Sequence, residues 1–150
     1  MGQSLSKVYV HIVFGTKLWK PLIFPPHDKA LYGYIANTCK NHNCASLAVN
    51  GFLNHIHILC RLDKRITIAD LLMEIKTDSS KWMKTQDRAL RNFYWQDGYF
   101  VVAVCESAIP NVRSYIERQK THHGGENYKD EIRRILDENG VEYDERYMWD

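Results

Sequence analysis

The stretch 54–62, NHIHILCRL, decides the fold, because two sets of side chains alternate along it as they do along a β-strand. Successive residues of a strand point to opposite faces of the sheet. We expect one face to bury the apolar set, which is Ile56, Ile58, Cys60 and Leu62. The set on the other face is His55, His57, Leu59 and Arg61.

Strand-like and helix-like patterns alternate on both sides of this stretch. Segments rich in β-branched and aromatic residues predict three further strands, at 8–14, 45–53 and 99–105. Within the second of these, Asn50-Gly51 predicts a tight turn or a bulge. Apolar residues at helical spacing predict helices at 27–41, at 67–85, from about 110 to Gly124-Gly125, and at 126–139.

The order strand, helix, strand, strand, helix, strand is that of the ferredoxin-like motif. The sequence therefore predicts an α+β fold, with a ferredoxin-like antiparallel four-stranded sheet and helices packed on one face. Its 150 residues suit a single domain, 1–150, in which residues 126–150 form a C-terminal helix and an acidic tail.

Charge is unevenly distributed along the chain. Residues 1–123 carry 16 lysines and arginines against 9 acidic residues, a net charge of +7, whereas residues 124–150 have a net charge of −5. A basic body suits a phosphate-rich partner, because lysine and arginine displace the counterions of nucleic acid. An ordinary soluble surface with a charged final helix explains the same numbers, so charge alone does not decide the function.

The pattern offers no sign of secretion or membrane insertion. The first seven residues are polar, which predicts no signal peptide, and no apolar run has the length of a membrane span. The four cysteines include no Cys-x-x-Cys pair, and we expect reduced thiols. These features predict a cytoplasmic protein with no membrane partner.

The pair His55 and His57 is the strongest local sign of chemistry. Two imidazoles at i and i+2 of a strand can bind one metal ion, although an isolated pair is more often structural. The predicted third helix adds Tyr115 and Gln119, one turn apart on the same side. Gln119 has a carbonyl oxygen that suits a third metal ligand, which leaves positions for phosphate and water. Tyr115 would then be placed to attack phosphorus, provided that a base or cation activates its phenol.

Several segments together resemble the HUH single-tyrosine transposases of the insertion sequence 200 and 605 type. The resemblance covers nearly the whole chain. Its specific parts are the HUH motif His55-Ile56-His57 and the YxxxQ segment from Tyr115 to Gln119. The other matching segments are HIVFGTK at 11–17, Ile75-Lys76 with Ser79-Ser80, FYWQDGY at 93–99 and His122-His123.

This resemblance implies a metal-dependent DNA strand transferase and endonuclease with Tyr115 as its catalytic nucleophile. It implies that His55, His57 and Gln119 bind a divalent metal, Mg²⁺ or Mn²⁺. The implied substrate is single-stranded DNA with hairpin ends, cleaved and rejoined through a 5′-phosphotyrosine. The implied assembly is a homodimer with active sites shared between subunits. Many relatives carry an acidic residue where this chain has Asn54, which removes charge from the support of the metal ligands.

Other residues are weaker candidates. Two imidazoles also suit zinc or nickel, but a phosphate-bridging role favours magnesium or manganese. His122 and His123 are auxiliary candidates near the site, and Trp19 or Trp95 are candidates to stack on unpaired bases. The candidate DNA-phosphate contacts are Lys17, Lys20, Arg61, Lys76, Lys81 and Lys84.

Three alternative functions stay open at this point. A domesticated relative that nicks hairpin DNA without mobilising it would carry the same site residues. A non-catalytic nucleic-acid-binding domain would bind DNA without metal and form no covalent intermediate. A replication-initiator nickase shares HUH chemistry, but the short chain and the one tyrosine at a YxxxQ position argue against it.

Overall fold

The four strands form one antiparallel sheet in the order β2-β3-β1-β4. The computed structural model describes residues 2–122 and 126–150. Its elements are β1 (Val8–Gly15), α1 (His27–Asn41), β2 (Ser46–Phe52), β3 (His55–Leu62), α2 (Ile68–Lys84), β4 (Phe100–Val104), α3 (Ile109–Glu117), α4 (Gln119–His122) and α5 (Tyr128–Glu138). The predicted α+β class and the four-stranded antiparallel sheet are confirmed. Among these residues no helix combines the length and the apolar character needed to cross a membrane.

The face of the sheet under α1 and α2 contains the main core. Alternate residues of the central strands enter it, as the period of two requires. On β3 these are Ile56, Ile58 and Cys60, all fully buried. From α2, Leu71 and Ile75 pack against them at helical spacing. The apolar side of β3 therefore faces the core, as the alternation in its sequence predicts.

The opposite face of the sheet is covered by the later helices. Val13 of β1 packs there against Tyr128, Ile132 and Leu136 of α5. The sequence predicts helices on one face of the sheet, and α1 and α2 lie on that face. α5 lies on the other face, because its apolar stripe also needs a surface to pack against. The chain therefore has three layers, with the sheet in the middle.

Asn50-Gly51 does not form the predicted turn or bulge, since both residues pair regularly with β3. Gly51 serves a different purpose, which is a close approach of two backbones. A Cβ atom on Gly51 would lie 2.2 Å from the backbone oxygen of His55. Glycine is therefore needed here for space within the sheet.

The third predicted helix is broken near its middle. α3 ends at Glu117, and the next residue, Arg118, has φ −101° and ψ 20°. The Asn50 side chain donates from Nδ2 to the carbonyl oxygens of Ile116 and Glu117, at 3.0 and 3.2 Å. These belong to the carbonyls that lack partners at a helix end. A distant side chain thus caps α3, and the short α4 begins one residue later.

α5 has ends that its sequence specifies. The Asn127 side chain accepts a hydrogen bond from the backbone N–H of Asp130 at 2.9 Å, which caps the first turn. Gly140 adopts a φ of 65°, the left-handed conformation that commonly follows a helix. The predicted helix stop at Gly124-Gly125 lies outside the described residues.

Gly51→Ala is expected to lower the free energy of unfolding by about 1–3 kcal/mol, because the added Cβ would collide with backbone that cannot move without distorting β3. Urea unfolding measures this change. Gly33→Ala is the matched control, since no atom lies within 4 Å of a Cβ at this exposed position of α1. Alanine favours a helix, so the control should be at least as stable as the wild type. Equal stability of Gly51→Ala and wild type would contradict the close approach.

Candidate metal and tyrosine site

β3 presents two buried histidines on the face of the sheet beneath α5. His55 and His57 are 1 % and 0 % exposed, and their ring centroids lie 5.3 Å apart. Ile56 between them is buried in the opposite core. The alternation that was read from the sequence therefore puts both imidazoles in one place.

A carboxylate from α5 lies between the two imidazoles. Glu131 Oε1 is 3.2 Å from His55 Nε2 and 3.0 Å from His57 Nε2, and the Glu131 side chain is fully buried. Across the described parts of the chain, these are the three histidine, cysteine or acidic side chains whose ligand atoms come within 4.8 Å of one another. The sequence had not singled out Glu131.

Gln119 joins the same cluster from α4. Its Oε1 atom lies 3.3 Å from His55 Nε2, and its Nε2 atom donates to Glu131 Oε2 at 3.3 Å. Neighbouring ligands of a six-coordinate cation with bonds of about 2.1 Å are about 3 Å apart, close to these separations. Two imidazoles, one carboxylate and one amide oxygen therefore suit a divalent cation.

Each histidine of the pair is oriented by a second side chain. His57 Nδ1 lies 2.8 Å from His11 Nε2, and His55 Nδ1 lies 2.9 Å from Asn54 Oδ1. Burial, and then His57, lower the pKa of His11 to about 3, so His11 is neutral and its Nε2 atom can accept a hydrogen bond from His57 Nδ1–H. Both Nε2 atoms are thereby left directed at Glu131, as metal binding requires. Asn54 supplies a hydrogen-bond acceptor without charge.

Tyr115 reaches the cluster from α3 of the same chain. Its ring centroid lies 5.8 Å from that of His57. The phenol donates a hydrogen bond to Glu131 and accepts one from Arg134 Nη2 at 2.9 Å. Burial, and then Glu131, raise the pKa of Tyr115 above its usual value, whereas Arg134 acts in the opposite direction. The phenol is therefore protonated at neutral pH, held between a carboxylate and a guanidinium.

A cleft of about 390 Å³ opens beside the tyrosine, between β4, α3 and α5. Its lining includes Tyr115, Asn111 and Arg134. The four clustered side chains are at most 1 % exposed, but Tyr115 is half-buried. A ligand can therefore approach the cluster from the tyrosine side.

Three of the six predicted phosphate contacts line one groove along α2. This groove, of about 460 Å³, includes Lys76, Lys81 and Lys84. Tyr94 also lines it and is 56 % exposed, with the Lys84 ammonium 4.1 Å from its ring centroid. The combination of lysine ammonium groups and an exposed aromatic ring is typical of a nucleic-acid surface.

The predicted basic contacts are not equivalent. Lys76 Nζ donates to the backbone oxygens of residues 96–98 at 2.6–3.1 Å, and burial lowers the pKa of Lys76 to about 8. Lys76 thus fixes a loop at the groove. Arg61 lies at the end of β3 that is far from the cluster, while Lys17 and Lys20 are exposed after β1.

The two tryptophans singled out for base stacking differ in exposure. Trp95 is 6 % exposed, packs edge-on against two phenylalanine rings, and donates from Nε1 to Ser79 Oγ at 2.9 Å. The prediction that Trp95 stacks on bases is therefore wrong, because its faces are covered by the core. Trp19 is half-buried. The His122 side chain and His123 lie outside the part of the chain that the structure describes.

Comparison with known proteins identifies the family. A family model described as IS200-like transposase matches residues 4–119. This match spans most of the chain, which therefore belongs to the IS200-like transposase family. No protein among the curated sequences matches the chain significantly.

Two solved structures share the fold. One is a protein from Deinococcus radiodurans R1 that is provisionally assigned as a transposase, with 18 % identity, a TM-score of 0.62, and coverage of 79 % of this chain and 96 % of that chain. The other is a REP-associated tyrosine transposase bound to a REP hairpin, with 16 % identity, a TM-score of 0.58, and coverage of 83 % and 75 %. At such low identities the likeness shows the fold alone.

Three residues of the site escaped prediction from the sequence: Glu131, His11 and Arg134. Glu131 left a signal, because it is a carboxylate within the otherwise apolar stripe of α5. No local pattern marked His11 or Arg134, since their partners are 46 and 19 residues away in the chain. Such pairings become visible only once the chain is folded.

Glu131→Gln is expected to weaken Mn²⁺ binding at least about tenfold, because it removes the one negative charge among the four donor side chains. Titration calorimetry measures the dissociation constant. Glu138→Gln, on the same helix with a 61 % exposed side chain, is the matched control and should bind as the wild type does. Tighter binding by Glu131→Gln would mean that this carboxylate competes with the cation.

Proposed function

We propose that this transposase cleaves and rejoins single-stranded DNA at hairpin-flanked element ends, with Tyr115 as the nucleophile and Mg²⁺ or Mn²⁺ as cofactor. The single observation that carries the proposal is the meeting of a phenol and two imidazoles around one carboxylate. Membership of the transposase family supports DNA as the substrate. The REP hairpin bound to a protein of the same fold supports hairpin recognition.

The proposed reaction exchanges one phosphate ester for another. The Tyr115 oxygen passes its proton to Glu131, which already accepts the phenol hydrogen bond, and forms a bond to phosphorus, while the bond between phosphorus and O3′ breaks. The departing O3′ takes up a proton and leaves as a 3′-OH, and the 5′ side of the break stays on Tyr115. A 3′-OH from a second strand then reverses the exchange. Rejoining needs no ATP, because the phosphotyrosine keeps the energy of the original linkage.

The side chains around Tyr115 have separate tasks in this proposal. When bound, the cation polarises a non-bridging phosphate oxygen and offsets the negative charge beside the phenol. His11 and Asn54 keep the imidazoles oriented. The open cleft at Tyr115 admits the phosphate. The residues that would hold the cation are His55, His57, Gln119 and Glu131.

The groove along α2 is the proposed contact for the DNA backbone. Lys81 and Lys84 supply ammonium groups there, and Tyr94 supplies an exposed ring, while Lys76 holds the adjacent loop. Further phosphate contacts are proposed for Lys17, Lys20 and Arg61. A cytoplasmic location, where such DNA would be met, stays a prediction.

We further propose that residues 1–150 act as one domain, with α5 and the acidic tail included. Within one chain, Asn50 docks α3 on β2 and Tyr115 contacts Glu131. These contacts support a site assembled from a single subunit. The alternative is the homodimer implied by the resemblance, in which subunits share their active sites.

Tyr115→Phe should abolish covalent adducts with a hairpin-bearing single-stranded oligonucleotide, since it removes the attacking oxygen. Denaturing electrophoresis with Mn²⁺ detects the adduct as a slow-migrating band, and a chelator should remove the activity. Tyr128→Phe is the control, because this tyrosine stacks on His55 at 4.5 Å and its phenol donates a hydrogen bond to Gln96 Oε1 at 3.0 Å. An adduct on Tyr115→Phe would refute the nucleophile. Metal-independent DNA binding without any wild-type adduct would favour a non-catalytic binding domain.

A mixture of Tyr115→Phe and His57→Ala proteins separates the two assemblies. If each site forms within one chain, the mixture stays inactive, because neither chain has both groups. If subunits share sites, a mixed dimer contains one intact site and the adduct band returns. Light scattering of the wild type gives the oligomeric state in parallel. We expect an inactive mixture.

A further inference from the structure

The cleft beside Tyr115 contains a cation that the reaction as described does not use. Arg134 lies on α5, three residues after Glu131 and beyond the residues 4–119 that the family model matches. Its Nη2 atom donates to the Tyr115 phenolic oxygen at 2.9 Å, and its guanidinium carbon is 5.4 Å from the tyrosine ring centroid. A guanidinium presents several N–H donors in one plane and suits phosphate oxygens.

The position of Arg134 has a direct consequence for any phosphorylated state of the tyrosine. A phosphoryl group on Tyr115 is bonded through the same oxygen that Arg134 already contacts. Its non-bridging oxygens would lie one bond further from the ring, next to the cleft that Tyr115 and Arg134 both line. The guanidinium is therefore within reach of the phosphate without movement of α5.

Arg134 also has partners that a phosphate can replace. Glu126 accepts from Nε and Nη2, both at 3.1 Å, and Glu138 lies 3.5 Å from Nη1. The Arg134 side chain is 35 % exposed, so these ion pairs are in contact with solvent and individually weak. Carboxylate and phosphate oxygens compete for the same N–H fork.

We propose that Arg134 binds the phosphate carried by Tyr115, exchanging Glu126 for a non-bridging phosphate oxygen when DNA enters the cleft. This inference rests on the proposed function of Tyr115 as the nucleophile. Arg134 is then a catalytic residue contributed by α5, and Glu126 is the side chain that holds the guanidinium before the substrate arrives. If Arg134 had only a structural role, its ion pairs would anchor α5. Loss of Arg134 and loss of Glu126 would then have the same effect on the reaction rate.

The test compares single-turnover rates of adduct formation on the hairpin oligonucleotide with Mn²⁺. Arg134→Gln should slow the reaction about 100-fold, the effect of removing a charged donor from the transition state. Arg134→Lys should recover part of this loss, because lysine keeps the charge but lacks the fork. Glu126→Gln should react at least as fast as the wild type, since it releases the guanidinium. Arg133→Gln is the matched control and should react normally, because Arg133 faces Glu145 and Trp149.

Thermal unfolding of each variant is measured alongside the rates. A normal rate for Arg134→Gln overturns the inference, and so does equal slowing by Glu126→Gln and Arg134→Gln, which is the mark of a structural ion pair. Slowing by Arg134→Gln with an unchanged melting temperature and a fast Glu126→Gln supports it. If the wild type forms no adduct with any divalent cation, the proposed function fails, and the role of Arg134 fails with it.

Discussion

One carboxylate shared by four side chains is the constraint on which the site depends. Glu131, itself fully buried, contacts two buried imidazoles, a buried amide and the half-buried phenol of Tyr115. Buried polar groups cost free energy unless each has a hydrogen-bond partner. Removal of any one of these side chains would therefore cost its neighbours a hydrogen bond. The partners come from β3, α3 and α4, and Glu131 itself from α5. Correct docking of three late helices on the sheet is therefore a condition for the cluster to exist.

The sheet holds this cluster rigidly, because one of its faces packs in the apolar core and the other carries the two histidines. The central strand β3 buries Ile56 and Ile58 in the apolar core and turns His55 and His57 to the other side. Neither imidazole can shift along the strand without moving core residues, and a one-residue slip would exchange the two faces. Sites built on such strands hold their geometry more closely than sites on loops. The apolar core thus fixes the spacing of the polar cluster.

Local patterns in the sequence were enough for the sheet, for α1 and α2, and for the shared face of His55 and His57, because periods of two and 3.6 residues operate within one element. Contacts between residues far apart in the sequence could not be predicted from such local patterns. Asn50 ends α3 from 66 residues away, and Glu131 meets His57 from 74 residues away. The prediction of a turn or bulge at Gly51 was wrong for the same reason. The glycine is required by the close approach of the His55 backbone on the neighbouring strand, which is not visible in the local sequence.

The residues of the site lie on both sides of residue 119, where the match to the family model ends. The histidine pair, Tyr115 and Gln119 lie within residues 4–119, whereas Glu131 and Arg134 follow on α5. The first group supplies two imidazoles, an amide and the phenol, and the second supplies the carboxylate and the guanidinium that contact the phenol. Because Glu131 is fully buried, its charge acts on the phenol more strongly than it would in water, whereas Arg134 is partly in contact with solvent. The two charged side chains beside Tyr115 therefore come from the C-terminal helix, while the position of the tyrosine is set by the sheet and α3.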